Sequence, residues 1–321
     1  MPPTSNPEPI ISAASASAAP TTPPIKLGKF SASKLIVKQS WAVLKQDKEI
    51  MWFPVISSIT TLVAIVIMAA LFFFIALGGD WSIFKEGGDA MANGYGQQGN
   101  PALEFARYLT LLVYYVVIFF IANFFQAGLL LIVQGRFSGQ NLSFSDGIKG
   151  AQAHIGRIFM WSLISATVGV ILRAIAERSR IIGAIVAGIL GAAWNIMTYF
   201  SLPSLVIGNT SIKDSFKESA AIIRKTWGES IIINFGVGFF FGIIVFLLFA
   251  LSIGIIVILQ SFVVAIVVGI LFVLAVIALS IVSSTLGSIF KLAIYNYART
   301  GQIPSAFSPE LVMGAVRAGK K

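Results

Sequence analysis

An all-α membrane bundle of six spanning helices is the fold class that the sequence predicts, and three observations predict it. The stretch 230–297 contains no acidic residue and a single cation, Lys291. A bilayer core takes roughly 20 apolar residues per helical crossing, so this stretch suits two crossings. Of the 321 residues, 57% are apolar and 11% charged, against roughly 25% charged in an ordinary soluble domain, and the mean hydropathy is +0.88. Four more apolar segments upstream are each long enough to span.

The elements follow in chain order. Residues 1–24 are built from Pro, Ser, Ala and Thr with one charge, Glu8, which leaves too little to bury; residues 1–27 read as a disordered tail. No basic region precedes the Ser/Ala stretch 12–19, so it does not read as a signal peptide. The first apolar segment covers about 50–77 and the second about 103–133. Between them, 78–100 is rich in Gly, Asn and Asp and reads as a polar loop. The third segment covers about 155–176 and the fourth about 181–207, with only Glu177, Arg178, Ser179 and Arg180 between them, which implies a tight antiparallel hairpin. The fifth and sixth divide 230–297, with a turn expected within 252–261, where Gln260 and Ser261 form the most polar dipeptide. The membrane domain is thus 28–300, followed by a tail at 301–321.

Six spans put both termini on one side of the membrane. Assigning that side to the cytoplasm places eighteen of the 23 Lys and Arg residues there and leaves Lys85, Arg107, Arg173, Arg178 and Arg180 outside, the bias that cytoplasmic loops show in general. The three arginines between spans three and four run against it. Because the net charge of +10 sorts by membrane side, it points to anionic lipid and away from nucleic acid. There is no cysteine, so disulfides, thiolate nucleophiles and Cys-ligated metals are excluded. His154 is the single histidine, which excludes a His-rich zinc site.

An internal repeat organises these spans. Residues 33–47 read SKLIVKQSWAVLKQD and 212–226 read IKDSFKESAAIIRKT; at an offset of 179, Lys34 meets Lys213, Lys38 meets Lys217, Ser40 meets Ser219 and Lys45 meets Arg224. Lys34, Lys38, Lys45 and Lys48 fall in one arc of a helix while Ile36, Val37, Val43 and Leu44 face away. A fainter third copy begins at Asp146, whose spacing to Lys149 matches that of Asp214 to Lys217. The arrangement predicts three units, 30–135, 141–208 and 211–298, each a basic amphipathic helix followed by a two-span hairpin. Such helices suit the headgroup layer, with the apolar face in the acyl boundary and Trp41, Trp52 and Trp227 as interfacial anchors.

The string Ser40, Trp41, Leu44, Lys45, Asp47, Lys48, Glu49, Phe53, Pro54, Ser57 leads into the first span. It resembles the opening of an uncharacterised family of prokaryotic multi-pass membrane proteins. More distantly, the plan of amphipathic helix and hairpin is similar to the membrane domain attached to some glycerophosphodiester phosphodiesterases, whose catalytic domain this chain lacks. The resemblance implies an integral membrane protein and no established reaction. Physically the string reads as an elbow, with Asp47 and Glu49 where the interfacial helix turns into the bilayer and Pro54 in a first helical turn that tolerates its missing N–H.

Two sets of residues are candidates for function. The surface set is Lys34, Lys38, Lys45, Lys213, Lys217 and Arg224, a basic face for anionic lipid or a protein partner. The intramembrane set is Asn123, Gln126, Asn195 and Asn234, neutral amides that either hold helices together or line a site for a headgroup or substrate. Arg173 and Glu177 are four apart and predict an ion pair. Small residues at four-residue spacing, Gly183, Ala187 and Gly191 beside Ala184, Gly188 and Ala192, predict a central position for span four within the monomer or a homo-oligomer; Pro203 predicts a kink at its inner end. No cofactor and no catalytic constellation is expected. The leading reading is a non-enzymatic membrane scaffold or binding protein of the cell membrane, with both termini cytoplasmic. A transporter or channel with a pathway between the hairpins is the alternative, and a membrane subunit of an enzyme complex a third.

Overall fold

The computed structural model describes residues 29–76, 101–179, 181–226, 230–309 and 311–312. The tail 1–27, the loop 78–100, Trp227 and the side chain of Asn234 lie outside the described residues. Among the described residues ten α-helices follow in order: α1 (Lys29–Gln46), α2 (Trp52–Ala76), α3 (Pro101–Phe137), α4 (Phe144–Ala153), α5 (Ile155–Glu177), α6 (Ile182–Met197), α7 (Ser201–Val206), α8 (Ile212–Thr226), α9 (Ser230–Leu259) and α10 (Phe262–Thr300). A short 3-10 turn, Lys48–Met51, joins the first two. Among the described residues there is no strand, and six segments are long and apolar enough to cross a membrane: Lys48–Leu71, Tyr108–Phe137, Ile155–Glu177, Ile182–Val206, Phe240–Leu259 and Phe262–Thr300. The fold is an all-α bundle.

The helix boundaries have local causes. Between α9 and α10 the chain reverses at Gln260, which adopts φ 44°, and Ser261; a left-handed residue breaks the helical ladder, and the polar dipeptide is where water can satisfy the released groups. Span four is two helices. Pro203 lacks an N–H and its ring collides with the carbonyl four residues back, at Tyr199, so α6 ends at Met197 and α7 restarts at Ser201. The break therefore sits one turn before the proline. The Phe200 N–H released by the break donates to Ser219 Oγ of α8 at 3.0 Å.

Three helices repeat one pattern of burial. In α1 the buried positions are Ile36, Ser40, Val43 and Leu44; in α8 they are Ser215, Ser219, Ile222 and Ile223, the same register at the offset of 179. In α4, Gly147 and Ala151 are buried, 68 residues before Ser215 and Ser219. The pattern stops there because α4 ends one turn later at His154. Each helix packs on spans that precede it in a cyclic order: α4 on α3, α8 on α6 and α7, and α1 on α9 and α10. Helix α1 thus joins the first unit to the last and closes the ring. The apolar faces of α1 and α8 are spent on protein contacts, with Ile36, Val43 and Leu44 at 0%, 1% and 2% exposure, in place of the acyl boundary expected for them.

Within the monomer, span four is not central, and part of the C-terminal segment is packed. The central helix is α3, which packs against α2, α4, α5, α7 and α10. Span four is peripheral: Gly183 is buried against α5, where a Cβ would lie 2.5 Å from the Ile175 carbonyl oxygen, but Ala184, Gly188 and Ala192 are exposed. A small-residue ridge permits close approach without specifying how many neighbours approach. The segment assigned to a C-terminal tail is also packed where it is described. Gly301, at φ 73°, terminates α10, and Phe307, Leu311 and Val312 are buried. The Phe307 ring lies 6.1 Å from Phe137 and 5.9 Å from Phe290, and the Ser308 N–H donates to Gln39 Oε1 of α1 at 3.2 Å.

Candidate functional site

The elbow between α1 and α2 is pinned from outside. Asp47 caps the 3-10 turn by accepting the Glu49 N–H at 3.2 Å, and its other oxygen meets Arg136 Nη2, at the end of α3, at 3.2 Å. The same guanidinium nitrogen donates to Asn141 Oδ1 at 2.6 Å. Glu49 Oε2 accepts the Phe144 N–H at the start of α4 at 2.7 Å. The Phe53 ring lies tilted against Phe144, 4.5 Å between centroids, in a slot that exists because Gly128 and Gly147 have no side chain: a Cβ on either would strike the Phe53 ring. Asp47 thus ties the elbow to the end of the first hairpin, and Glu49 ties it to the start of the second unit.

The intramembrane amides hold helices together. Asn123 Nδ2 donates to Ser162 Oγ of α5 at 3.0 Å, and Gln126 Nε2 to Ser288 Oγ of α10 at 2.8 Å. Gln134 Oε1 accepts from Asn296 Nδ2 of α10 at 2.7 Å. Helix α3 is therefore bonded on both flanks. Asn195 is exposed on α6 and does not join this set.

A second polar cluster gathers where α7, α8 and α10 meet, and sequence reasoning missed it. Glu218 of α8 accepts from the Ser204 hydroxyl and, at 3.3 Å, from the Tyr295 hydroxyl, with Arg299 Nε at 3.6 Å. Arg299 also donates to Tyr295 Oη and to the Gly208 carbonyl, each at 3.2 Å, while Ser204 and Thr210 share a hydrogen bond of 2.8 Å. One signal was available: Glu218 falls beside the buried stripe of Ser215, Ser219 and Ile222 on the helical wheel, so it borders the packed face.

Helical content, six spans and this arrangement now stand beside a match of residues 105–305 to the model of a family of unknown function, DUF6159. The chain belongs to this family. No curated protein and no solved structure matches it, and nothing links it to the membrane domains of glycerophosphodiester phosphodiesterases. The DUF6159 match takes in α4 to α10 and nearly all of α3; the elbow string, residues 40–57, lies upstream of it.

On the surface of this DUF6159 protein, Lys34, Lys38, Lys45, Lys213, Lys217 and Arg224 are all exposed. Lys217 Nζ lies 3.9 Å from Asp214 Oδ1, a pair whose side chains are 68% and 61% exposed, so solvent screens it and the lysine stays available. Trp41 and Trp52 are exposed beside them. At the opposite end of the bundle, Arg173 Nε meets Glu177 Oε1 at 2.7 Å, the expected pair. Ser143 caps α4 reciprocally with Asp146: the Ser143 hydroxyl and N–H donate to Asp146 Oδ2 at 2.7 Å and 3.0 Å, which holds the Asp146 carboxyl below its ordinary value. His154 joins α4 to α5; burial, then the neighbouring Arg157 charge, push its pKa down. Among the described residues no three His, Asp or Glu side chains come together as a metal site.

Proposed function

We propose that this DUF6159 protein is a non-enzymatic membrane scaffold or binding protein of the cell membrane that holds anionic lipid on a basic cytoplasmic face, with both termini on that side. One observation carries the reading. The cations of α1 and α8 point outward, while Asp47 and Glu218 turn inward onto Arg136 and Arg299 and Glu49 is bound by the Phe144 N–H, so that among the described residues of these two helices Asp214, beside Lys217, is the carboxylate that shares the exposed face. The surface is left with positive charge, and each such cation near an anionic headgroup layer contributes roughly 1 kcal/mol. Both helices are amphipathic, but their apolar sides pack on spans, so the basic sides are held in fixed positions. That rigidity favours a docking surface.

The hydrogen bonds of Asn123 and Gln126 weigh against the transporter reading, because these amides are engaged with serines of neighbouring helices. A protein partner or second copy on the same basic face is the competing occupant.

The test is the lipid that accompanies the purified protein. With Lys34, Lys38, Lys45, Lys213, Lys217 and Arg224 changed to glutamine, co-purified phosphatidylglycerol measured against phosphatidylcholine is expected to fall several-fold while the thermal midpoint holds. An unchanged ratio refutes the proposal.

A further inference from the structure

Lys291 is the one cation in the stretch 230–297, and its surroundings are unlike those of the surface lysines. Its neighbours on α10, from Ile289 to Tyr295, are almost all fully buried: Ile289, Phe290, Leu292, Ala293, Ile294 and Tyr295 each have 0% exposure. Among the described residues its ammonium has no carboxylate within 4.0 Å and makes no hydrogen bond; the group it meets is the ring of Tyr199, 4.2 Å from nitrogen to centroid. Lys291 itself is partly exposed at the edge of this packed segment; a ring face offsets part of the cost of withdrawing its ammonium from water, and an anion reaching the exposed part would compensate the charge. Three donors remain available.

Position along the helix says what kind of anion is within reach. Most large side chains of α10 are exposed from Phe262 to Ile277, and most residues from Thr285 to Tyr295 are buried. At about 1.5 Å per residue, Phe262 to Ser284 accounts for a bilayer core of about 30 Å, and Lys291 lies about 9 Å beyond Thr285, at the level of lipid headgroups. Tyr199 belongs to the break between α6 and α7, where span four changes from lipid-exposed Met197 to buried Phe200. Lysine and tyrosine therefore flank the seam between spans four and six at the depth of a phosphate.

We propose that Lys291, positioned by the face of Tyr199, forms a binding site for the phosphate of one anionic phospholipid, seated at this seam in the leaflet that adjoins the basic helices. The site is separate from the six-cation face: Lys291 is not part of it, and one lipid per chain is the expected occupancy, where the outer face gathers lipid diffusely. The binding does not require the outer face.

The full-length protein in detergent is titrated with dioleoylphosphatidylglycerol or dioleoylphosphatidylcholine and read by native mass spectrometry. The wild type is expected to retain one phosphatidylglycerol at concentrations where it retains no phosphatidylcholine. Lys291→Met is expected to weaken that first binding event at least tenfold, Lys291→Arg to keep it, and Tyr199→Leu to weaken it less. The six-glutamine variant is expected to lose the later lipids and keep the first. If Lys291→Met does not fold, Tyr199→Leu decides. Wild-type retention of the first lipid in the variant that decides overturns the proposal, and so does displacement of that lipid by millimolar inorganic phosphate, which would make free phosphate the ligand. Loss of the first lipid in the six-glutamine variant also overturns it, by assigning that lipid to the outer face.

Discussion

The bilayer half of the molecule and its base are built by different rules. Along α10, Phe262, Val263, Ile270 and Leu274 are 56–80% exposed, whereas Leu286, Ile289 and Phe290 are at 0%. The same contrast runs through α2, where Ile59, Leu62 and Val66 are exposed and Phe53 is buried, and through span four on either side of its break. In lipid a helix surface needs only to be apolar, since the tails compete equally well for it. In the base, side chains interlock and polar groups find specific partners: Asp47 with Arg136, Glu218 with Arg299, Gln134 with Asn296. Sequence-specific information is concentrated in the base, beneath the basic face.

Breaking the base is the severest test of that contrast. Leu286→Ala is expected to destabilise by about 2–5 kcal/mol, and Leu274→Ala, 57% exposed in the bilayer half, to have little effect on the unfolding midpoint in mixed micelles; equal effects would erase the distinction. Arg136→Met leaves Asp47 nearly buried without its partner and is expected to cost about 3 kcal/mol, while the double variant with Asp47→Leu recovers part of it in a double-mutant cycle. Asn123→Leu, which removes one interhelical bond, is expected to cost about 0.6–2 kcal/mol and to leave lipid retention unchanged.

The smallest expected effect follows from pH. Because the folded Asp146 carboxyl titrates below its ordinary value, its cap supports α4 above the unfolded carboxylate range near pH 4 and loses that support as pH falls through the folded value. His154 is also depressed, so the stability associated with its neutral form is present above the unfolded value near 6.5 and declines as pH falls below it. Unfolding midpoints measured from pH 7.5 to 3 should therefore fall in two steps, with the upper step missing in His154→Gln and the lower one missing in Ser143→Ala.

The bilayer half was readable in the sequence because hydropathy is a property of composition, and the reversal at Gln260 and Ser261 falls at the most polar dipeptide of the turn region expected within 252–261. The faces of α1 and α8 were readable from their wheels, and Arg173 with Glu177 from their spacing of four. The base was not, because it is made of long-range pairings. Asn123 meets a serine 39 residues away, and Gln126 and Gln134 meet partners 162 residues away; no local pattern names those partners, and so the central place of α3 was missed. Phe307 was assigned to a tail for the same reason: its burial depends on Phe137 and Phe290, which only the fold assembles. The outward position of the cations on α1 and α8 was readable from sequence, but the partners that hold Asp47 and Glu218 away from them were not.

The central claim, that the base holds an uncompensated positive surface for anionic lipid, is tested most directly by phosphatidylglycerol binding to the purified chain as a function of salt. The account predicts that wild-type affinity falls as sodium chloride rises from 50 to 500 mM and that the six-glutamine variant loses most of that salt dependence. A wild-type affinity that does not change with salt, or a variant with the same salt dependence as the wild type, would contradict it.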